Sequence, residues 1–287
     1  MSVSAALLAA GGGSRFGAPK LLLPAGPGEV LLSRAARLAL AVAEQVLCIL
    51  PEDAALHRAA LAGLAGDRLT LVENPDAARG MGTSLALAAK TCLQRGLGGG
   101  GLLVLPADLP TVDGPFLHRL IAAFGDVDRC DAAAVQDRDG RLQAPAVLGP
   151  DLMTELVSLQ ADEGARAFLR RPGAKVVAVA FEGELEDIDD IDAYRRLARR
   201  LGWDREEAPV VSWLDAWPPR ADPSAGGWRI GATLAMPVPG HGAGISGYAG
   251  QRLPDGVVRV LCSGEKAEDR LQLLRTAALL SLRDESR

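Results

Sequence analysis

The sequence predicts an α/β protein: a doubly wound, mostly parallel sheet in residues 1–202, followed by a small α+β extension in 203–287. Three observations carry this. Short apolar runs, the first from Val3 to Ala10 and the fourth from Leu102 to Leu105, read as buried strands. Between them lie segments of ten or more residues at helical spacing, the alternation that builds a parallel sheet with helices on both faces. From Gly202 the composition shifts: Trp203, Trp213, Trp217 and Trp228, all four tryptophans of the chain, lie in the next stretch with Pro218, Pro219, Gly226 and Gly227. The boundary is placed near Trp203.

In chain order, the strand from Val3 stops at three glycines. Leu31 to Glu44 is a helix, with apolar residues at Leu31, Ala35, Leu38, Ala39 and Val42. Val46 to Leu50 is a strand that Pro51 ends. Asp53 to Ala65 is a helix, Leu69 to Val72 a strand, and Thr83 to Arg95 a helix. The glycine linker Gly96 to Gly101 precedes the strand Leu102 to Leu105. A helix follows from Asp113 to Phe124, then strands at Ala132 to Val135 and Leu142 to Leu148. Helices are expected at Pro150 to Leu159 and Asp162 to Arg170, a strand at Val176 to Phe181 and a helix at Asp190 to Leu201. In the tail, strands are expected at Trp228 to Met236 and Val257 to Cys262, and a helix from Glu265 to Arg283. Gly240 to Gly250 reads as a glycine-rich loop that lacks the cations of a phosphate cradle.

Composition narrows the function classes. The 287 residues are 48% hydrophobic and 23% charged, a globular balance. A net charge of −5 argues against a general nucleic-acid binder, so any phosphate-binding cations must be concentrated locally. No apolar stretch reaches the ~20 residues of a membrane span, and no basic region precedes the first apolar run. A cytoplasmic protein is expected. Cys48, Cys92, Cys130 and Cys262 form no C-x-x-C pair, and His57, His118 and His241 have no zinc spacing.

The stretch that organises the chain reads LLAAGGGSRFGAPKLLL, residues 7–23. Glycine lets the chain turn sharply and bring bare N–H groups against an anion, and Arg15 and Lys20 add charge beside the turn. A strand, a glycine turn and two close cations suggest a polyphosphate site. Spacing excludes the Walker A loop, because Ala18 and Pro19 follow Gly17, and the G-x-G-x-x-G fingerprint, which Phe16 breaks. On the glycines alone, an ordinary strand-to-helix turn is an equal reading. Ligands of such sheets bind at the carboxyl ends of strands. The exits Gly11 to Lys20, Glu73 to Ser84 and Pro106 to Val112 are therefore expected to cluster.

The motif LAAG-x-x-S-R-F-G-x-P-K-L-L-L resembles the signature of nucleotidyltransferases of the molybdenum-cofactor type, nearest to their cytidylyltransferases. The resemblance covers residues 1–200. It implies a nucleotide-diphospho-sugar transferase-like fold, CTP and a molybdopterin-type cofactor as substrates, and Mg²⁺. It also implies a nucleotide loop of Ala9, Ala10, Gly11, Gly12, Gly13, Ser14, Arg15 and Lys20, with Arg15 and Lys20 on the β- and γ-phosphates. The pair Ala10-Gly11 is similar to the cytidylyl form, where guanylyl relatives carry Gly-Gly.

Three further segments share the resemblance. ENPDAARGMGTSL, residues 73–85, is similar to the family's N-P-D-x-x-x-G-M-x-x-S, which puts Asn74, Gly80, Met81 and Ser84 near the nucleotide. Thr83 or Ser84 would open the next helix toward an anion; a plain loop and helix cap is as good a reading of Thr83. PADLP, residues 106–110, resembles the metal-binding D-x-P segment, with Leu109 in place of a polar residue or methionine. An aspartate just past a strand end reaches a phosphate-bound Mg²⁺, or it caps a helix; the glycine turn upstream favours the metal for Asp108. EDIDDID, residues 186–192, resembles the D-x-D that completes the metal shell, with Asp189 first and Asp187 in reserve. Asp190 and Asp192 suit a helix start.

DEGAR, residues 162–166, resembles G-D-x-G-A-R with Ala161 in place of the glycine. There Arg166 either contacts the acceptor phosphate or lies on a helix surface. Where the family has G-H-P, this chain has Gln143-Ala144-Pro145. The catalytic set is thus Arg15, Lys20 and Asp108, the metal set Asp108 and Asp189, and the acceptor contact Arg166. The alternatives are a nucleotidyltransferase that uses GTP or another phosphorylated acceptor such as a sugar phosphate or phospholactate, and a cofactor-carrying chaperone docking a target molybdoenzyme through the tail. The expected partners are small molecules, without nucleic acid or membrane.

Overall fold

The computed structural model describes residues 2–11, 20–23, 25–26, 29–52, 54–64, 66–127, 130–159, 163–189 and 191–203, then five strands within 220–262. Gly12, Gly13, Ser14, Arg15, most of the 240–250 loop and the expected helix 265–283 lie outside the described residues. The chain divides into two compact units: Met1–Gly12, Leu31–Ala54 and Leu61–Asp187 form one; Gly13–Val30, Ala55–Ala60 and Ile188–Arg287 form the other.

The first unit holds seven strands: β1 (Ser4–Leu8), β2 (Gln45–Pro51), β3 (Leu69–Asn74), β4 (Leu102–Pro106), β5 (Ala132–Gln136), β6 (Leu142–Leu148) and β7 (Val176–Ala180). Their order is β3-β2-β1-β4-β6-β5-β7. The first four are mutually parallel, so their carboxyl ends share one edge of the sheet, and three of these ends are the exits expected to cluster. β6 runs antiparallel to both β4 and β5, while β5 and β7 are parallel.

The helices are α1 (Leu31–Val42), α2 (Ala55–Leu61), α3 (Met81–Gln94), α4 (Gly114–Asp126), α5 (Met153–Leu156), α6 (Arg166–Leu169) and α7 (Ile191–Leu201). Successive residues of a strand point to opposite faces, and the core obeys this. Ala6 and Leu8 of β1 and Leu102 and Val104 of β4 pack with Leu85, Ala88, Ala89 and Cys92 of α3 and with Met153 and Leu156 of α5. The alternate residues Ala5, Leu7, Leu103 and Leu105 are equally buried, against the face that α1 and α4 cover. Both faces are dry, which is why these strands read as continuous apolar runs. Burial pushes the Cys48 thiol on β2 up to about 12 and Cys92 on α3 up to about 11.

α4 begins where Asp113 accepts a hydrogen bond from the Phe116 N–H at 2.8 Å, with Pro115 in its first turn. Two expected helices are shorter than their patterns. Pro150–Leu152 is a 3₁₀ turn before the single-turn α5, and the Ser158 hydroxyl bonds back to the Glu155 carbonyl at 2.7 Å, turning the chain aside. α6 spans only Arg166–Leu169; Gly164, a poor helix former, precedes it.

The second unit contains a five-stranded sheet, order β11-β12-β10-β9-β8, from β8 (Arg220–Asp222), β9 (Gly227–Ile230), β10 (Thr233–Pro237), β11 (Ala249–Arg252) and β12 (Val258–Cys262). The single strand expected over Trp228 to Met236 is two. β9 and β10 pair antiparallel, Thr233 opposite Ile230, and Gly231 stands between them in sequence. In the same unit, Tyr194 of α7 is fully buried and packs on Trp203 with ring centroids 6.3 Å apart.

Candidate functional site

Most of the first unit's candidate residues lie on segments that leave the carboxyl ends of its parallel strands, and Lys20 lies in the second unit. Ala9 and Ala10 continue β1 and are buried; the Ala9 N–H donates to the Ile49 carbonyl at 2.9 Å. Gly11 follows, exposed, and a Cβ there would meet no protein atom within 4 Å. Among the described residues, the backbone at Gly11 is therefore open. Lys20 heads a 3₁₀ turn, Lys20–Leu22, with 9% of its surface exposed. Its ammonium donates to the Ile188 carbonyl at 2.7 Å, the peptide between Asp187 and Asp189.

At the exit of β3, Asn74 is 2% exposed and all its amide atoms shown bonded serve the loop. Its Nδ2 donates to Thr83 Oγ1 at 3.0 Å and to Ser84 Oγ at 2.9 Å, and its Oδ1 accepts from the Asp76 N–H at 3.0 Å. The Thr83 hydroxyl donates to the Gly80 carbonyl at 2.8 Å. Gly80 has φ 130°, a conformation that side chains resist. α3 consequently begins at Met81, two residues before the expected start, with Thr83 and Ser84 inside its first turn. Asn74 and Ser84 hold the loop in shape, and Met81 is left 57% exposed at its tip.

A cavity of about 400 Å³ lies within the first unit. Leu8 and Val104 form its floor; Met81, Asp108, Arg166 and Asp187 stand around it. Asp108 arrives from the exit of β4, and Asp187 from the segment after β7. Thr111 stitches the two segments together: its hydroxyl donates to the Glu184 carbonyl at 2.9 Å. Of the expected site residues in this unit, the structure thus brings Met81, Asp108 and Arg166 together, with the reserve acid Asp187. Asp189 belongs to the second unit with Lys20.

Gln143 also lines this cavity and was legible only as a departure from G-H-P. In the pairing of β5 with β6 the register shifts: Ala134 faces Ala146 and Val135 faces Gln143, so Ala144 and Pro145 are extra. Pro145 has no N–H to give the ladder, and the bulge that accommodates it re-aims the neighbouring side chains. The Ala144-Pro145 peptide is cis. Gln143 accepts from Arg166 Nη2 through Oε1 at 2.8 Å. A second cavity of about 330 Å³ adjoins at Gln143 and Leu185 and is lined by Asp137, Asp139, Glu184 and Glu186. Arg138 pairs with Glu184 there at 2.8 Å, in solvent. Among the described residues no group of three or more His, Cys, Asp or Glu side chains could hold a metal by itself. No described helix is long and apolar enough to cross a membrane.

A doubly wound sheet with an exposed glycine after its first strand, and a strand-end aspartate in the wall of a cavity, is an arrangement suited to handling nucleotides. The family model of the MobA-like NTP transferase domain matches residues 5–176, more than half of the chain, and the chain belongs to that family. Its activity class is nucleotidyl transfer. Solved structures with this fold include Rv0371c from Mycobacterium tuberculosis, 24% identical with TM-score 0.55 over 69% of this chain and 99% of that one. The same protein has been solved in complex with manganese. A nucleotidyl transferase from Methanothermobacter thermautotroptrophicus is 22% identical with TM-score 0.58, over 70% of this chain and 97% of that one. The 4-diphosphocytidyl-2C-methyl-D-erythritol synthase of Anaerococcus prevotii is 15% identical with TM-score 0.52, over 69% and 96%. No curated protein matches the chain.

Proposed function

We propose that the chain transfers a cytidylyl group from CTP to the terminal phosphate of a molybdopterin-type cofactor, in the cytoplasm. An acceptor phosphate oxygen attacks the α-phosphorus, the bond to the β-phosphate breaks, and pyrophosphate leaves. The observation that carries the reading is Asp108, at the exit of a buried parallel strand and in the wall of a cavity of about 400 Å³. Family membership fixes the reaction class, and the Ala10-Gly11 pair supports CTP over GTP.

The donor set suits a hard divalent cation. Asp108 and Asp187 line one cavity, no histidine or thiol stands with them among its lining residues, and such cations take carboxylate and phosphate oxygens. Mg²⁺, when bound, would neutralise charge on the phosphates and the leaving group. Asp108 would hold it with an acid of the 187–189 segment: Asp189 in the family pattern, Asp187 on the ground that it shares the cavity. Lys20 and Arg15 would neutralise the β- and γ-phosphates, and Gly11, Gly12 and Gly13 would offer backbone N–H groups. Arg166 would contact the acceptor. No general base is required, because a phosphate monoester is already ionised; catalysis is positioning and charge neutralisation.

Residues 1–202 would make up the transferase domain and 203–287 an extension that docks a partner such as a molybdoenzyme, dimerises, or covers the acceptor pocket. The test is a thermal-shift screen of the four NTPs with and without Mg²⁺. CTP should raise the melting temperature most, and by more with the metal than without it. Equal shifts from all four, or none, would contradict the proposal.

A further inference from the structure

We propose that Gln143 is the positioning residue of an anion subsite: its carboxamide aims the Arg166 guanidinium, without neutralising it, at a phosphate of the second substrate. This deepens the acceptor role given to Arg166 and rests on that reading. Both side chains line the cavity that holds Asp108 and Asp187. No carboxylate pairs with Arg166 among the described residues; its one bond goes to Gln143 Oε1 at 2.8 Å. A neutral acceptor fixes a guanidinium while leaving its full charge and its remaining N–H donors for a ligand.

The geometry behind this is built into the strand. The two extra residues Ala144 and Pro145 interrupt β6, and Gln143 is the first residue beyond the interruption to resume pairing, opposite Val135. Its main chain is thus held while its side chain reaches Arg166 at the start of α6, 23 residues on. With Oε1 spent on the guanidinium, the Nε2 amide is a second donor beside it. Guanidinium and amide side by side match the oxygens of a phosphate. The two carboxylates of the same cavity would repel such a group, so an anionic acceptor needs a fixed cation to enter.

The experiment follows the Arg166 side-chain Nε–H signal by NMR, assigned by its loss in Arg166→Lys. Inorganic phosphate is titrated at constant ionic strength into the full chain saturated with CTP. The wild-type signal should shift and saturate. Gln143→Glu keeps the shape but turns the contact into an ion pair, so it should weaken phosphate binding by ~10-fold or more while the melting temperature holds or rises. Gln143→Ala, which loses the aim but not the charge, should weaken it by about 3-fold. CTP affinity, measured by calorimetry, should stay within about 2-fold in each variant. A wild-type signal that ignores phosphate, or a Gln143→Glu titration like the wild type, would overturn the proposal. If CTP does not bind but the signal still titrates with Gln143 dependence, the subsite stands and the donor assignment falls.

Discussion

The two halves of the seven-stranded sheet are built on different rules. In β3-β2-β1-β4 every neighbour is parallel, and β2, β1 and β4 are covered on both faces, so the sequence writes those three as unbroken apolar runs. In β4-β6-β5-β7 an antiparallel strand is wedged in, and it carries two unpaired residues, one of them a proline. The parallel half ends in loops that our reading gives to the nucleotide and metal. The interrupted half supplies Gln143 and, through α6, Arg166, which our reading gives to the acceptor. On that reading the regular strands would hold the shared chemistry, and the irregular strand would choose the second substrate.

Substitutions can break that division. Asp108→Asn, at the exit of β4, should lower turnover by ~10² or more with the fold intact, because a metal ligand acts mainly in the transition state. Near-normal turnover in a folded variant would remove Asp108 from the metal site. Asp187→Asn and Asp189→Asn, compared side by side, decide the second ligand. The true ligand should cost ~10² in turnover and the other less than ~10-fold. Arg166→Ala, in the other half, should raise the acceptor KM by about 10-fold and leave the CTP KM unchanged. A rise in the CTP KM instead would erase the division between the halves. Donor choice should favour CTP over GTP by at least ~10-fold in kcat/KM, about 1.4 kcal/mol; a tenfold preference for GTP in competition would reverse the assignment.

Dryness of the parallel half has its own signature. Burial raises the Cys48 thiol to about 12, while the unfolded thiol ionises near its ordinary value of about 8.5. Its folded pKa is the higher one, so its contribution is complete below pH ~8.5 and is lost as pH rises toward 12. The slope approaches ~1.4 kcal/mol per pH unit. Urea unfolding at pH 8 and pH 10 should show Cys48→Ala flattening this loss; an unchanged slope would mean β2 is wetter than its burial. The smallest effect should come from ending the chain at residue 202: CTP affinity by calorimetry within about 2-fold of the full chain. A soluble, folded shortened protein without CTP binding would show that the tail completes the site.

How far the sequence could be read follows the same division. The runs Val46 to Leu50 and Leu102 to Leu105 are strands within a residue or two, because full burial demands apolar residues throughout. The place of Asp108, just past the end of β4 and in a cavity wall, was legible because it sits at a fixed offset from such a strand. The start of α3 at Met81 was not, because Gly80's φ and the Asn74 hydrogen bonds, rather than a Ser or Thr cap, set it. Gln143 was visible only as an absence. Its partner lies 23 residues on, and the register shift that aims it is a property of paired strands, which no single segment records.

The most direct test is a calorimetric titration of CTP into the full chain and its Asp108→Asn variant, each with and without Mg²⁺. The wild type should bind CTP at least ~10-fold more tightly with Mg²⁺, and the variant should lose that gain and keep its metal-free affinity. Equal Mg²⁺ dependence in both proteins would mean that the metal and the nucleotide sit away from the β4 exit.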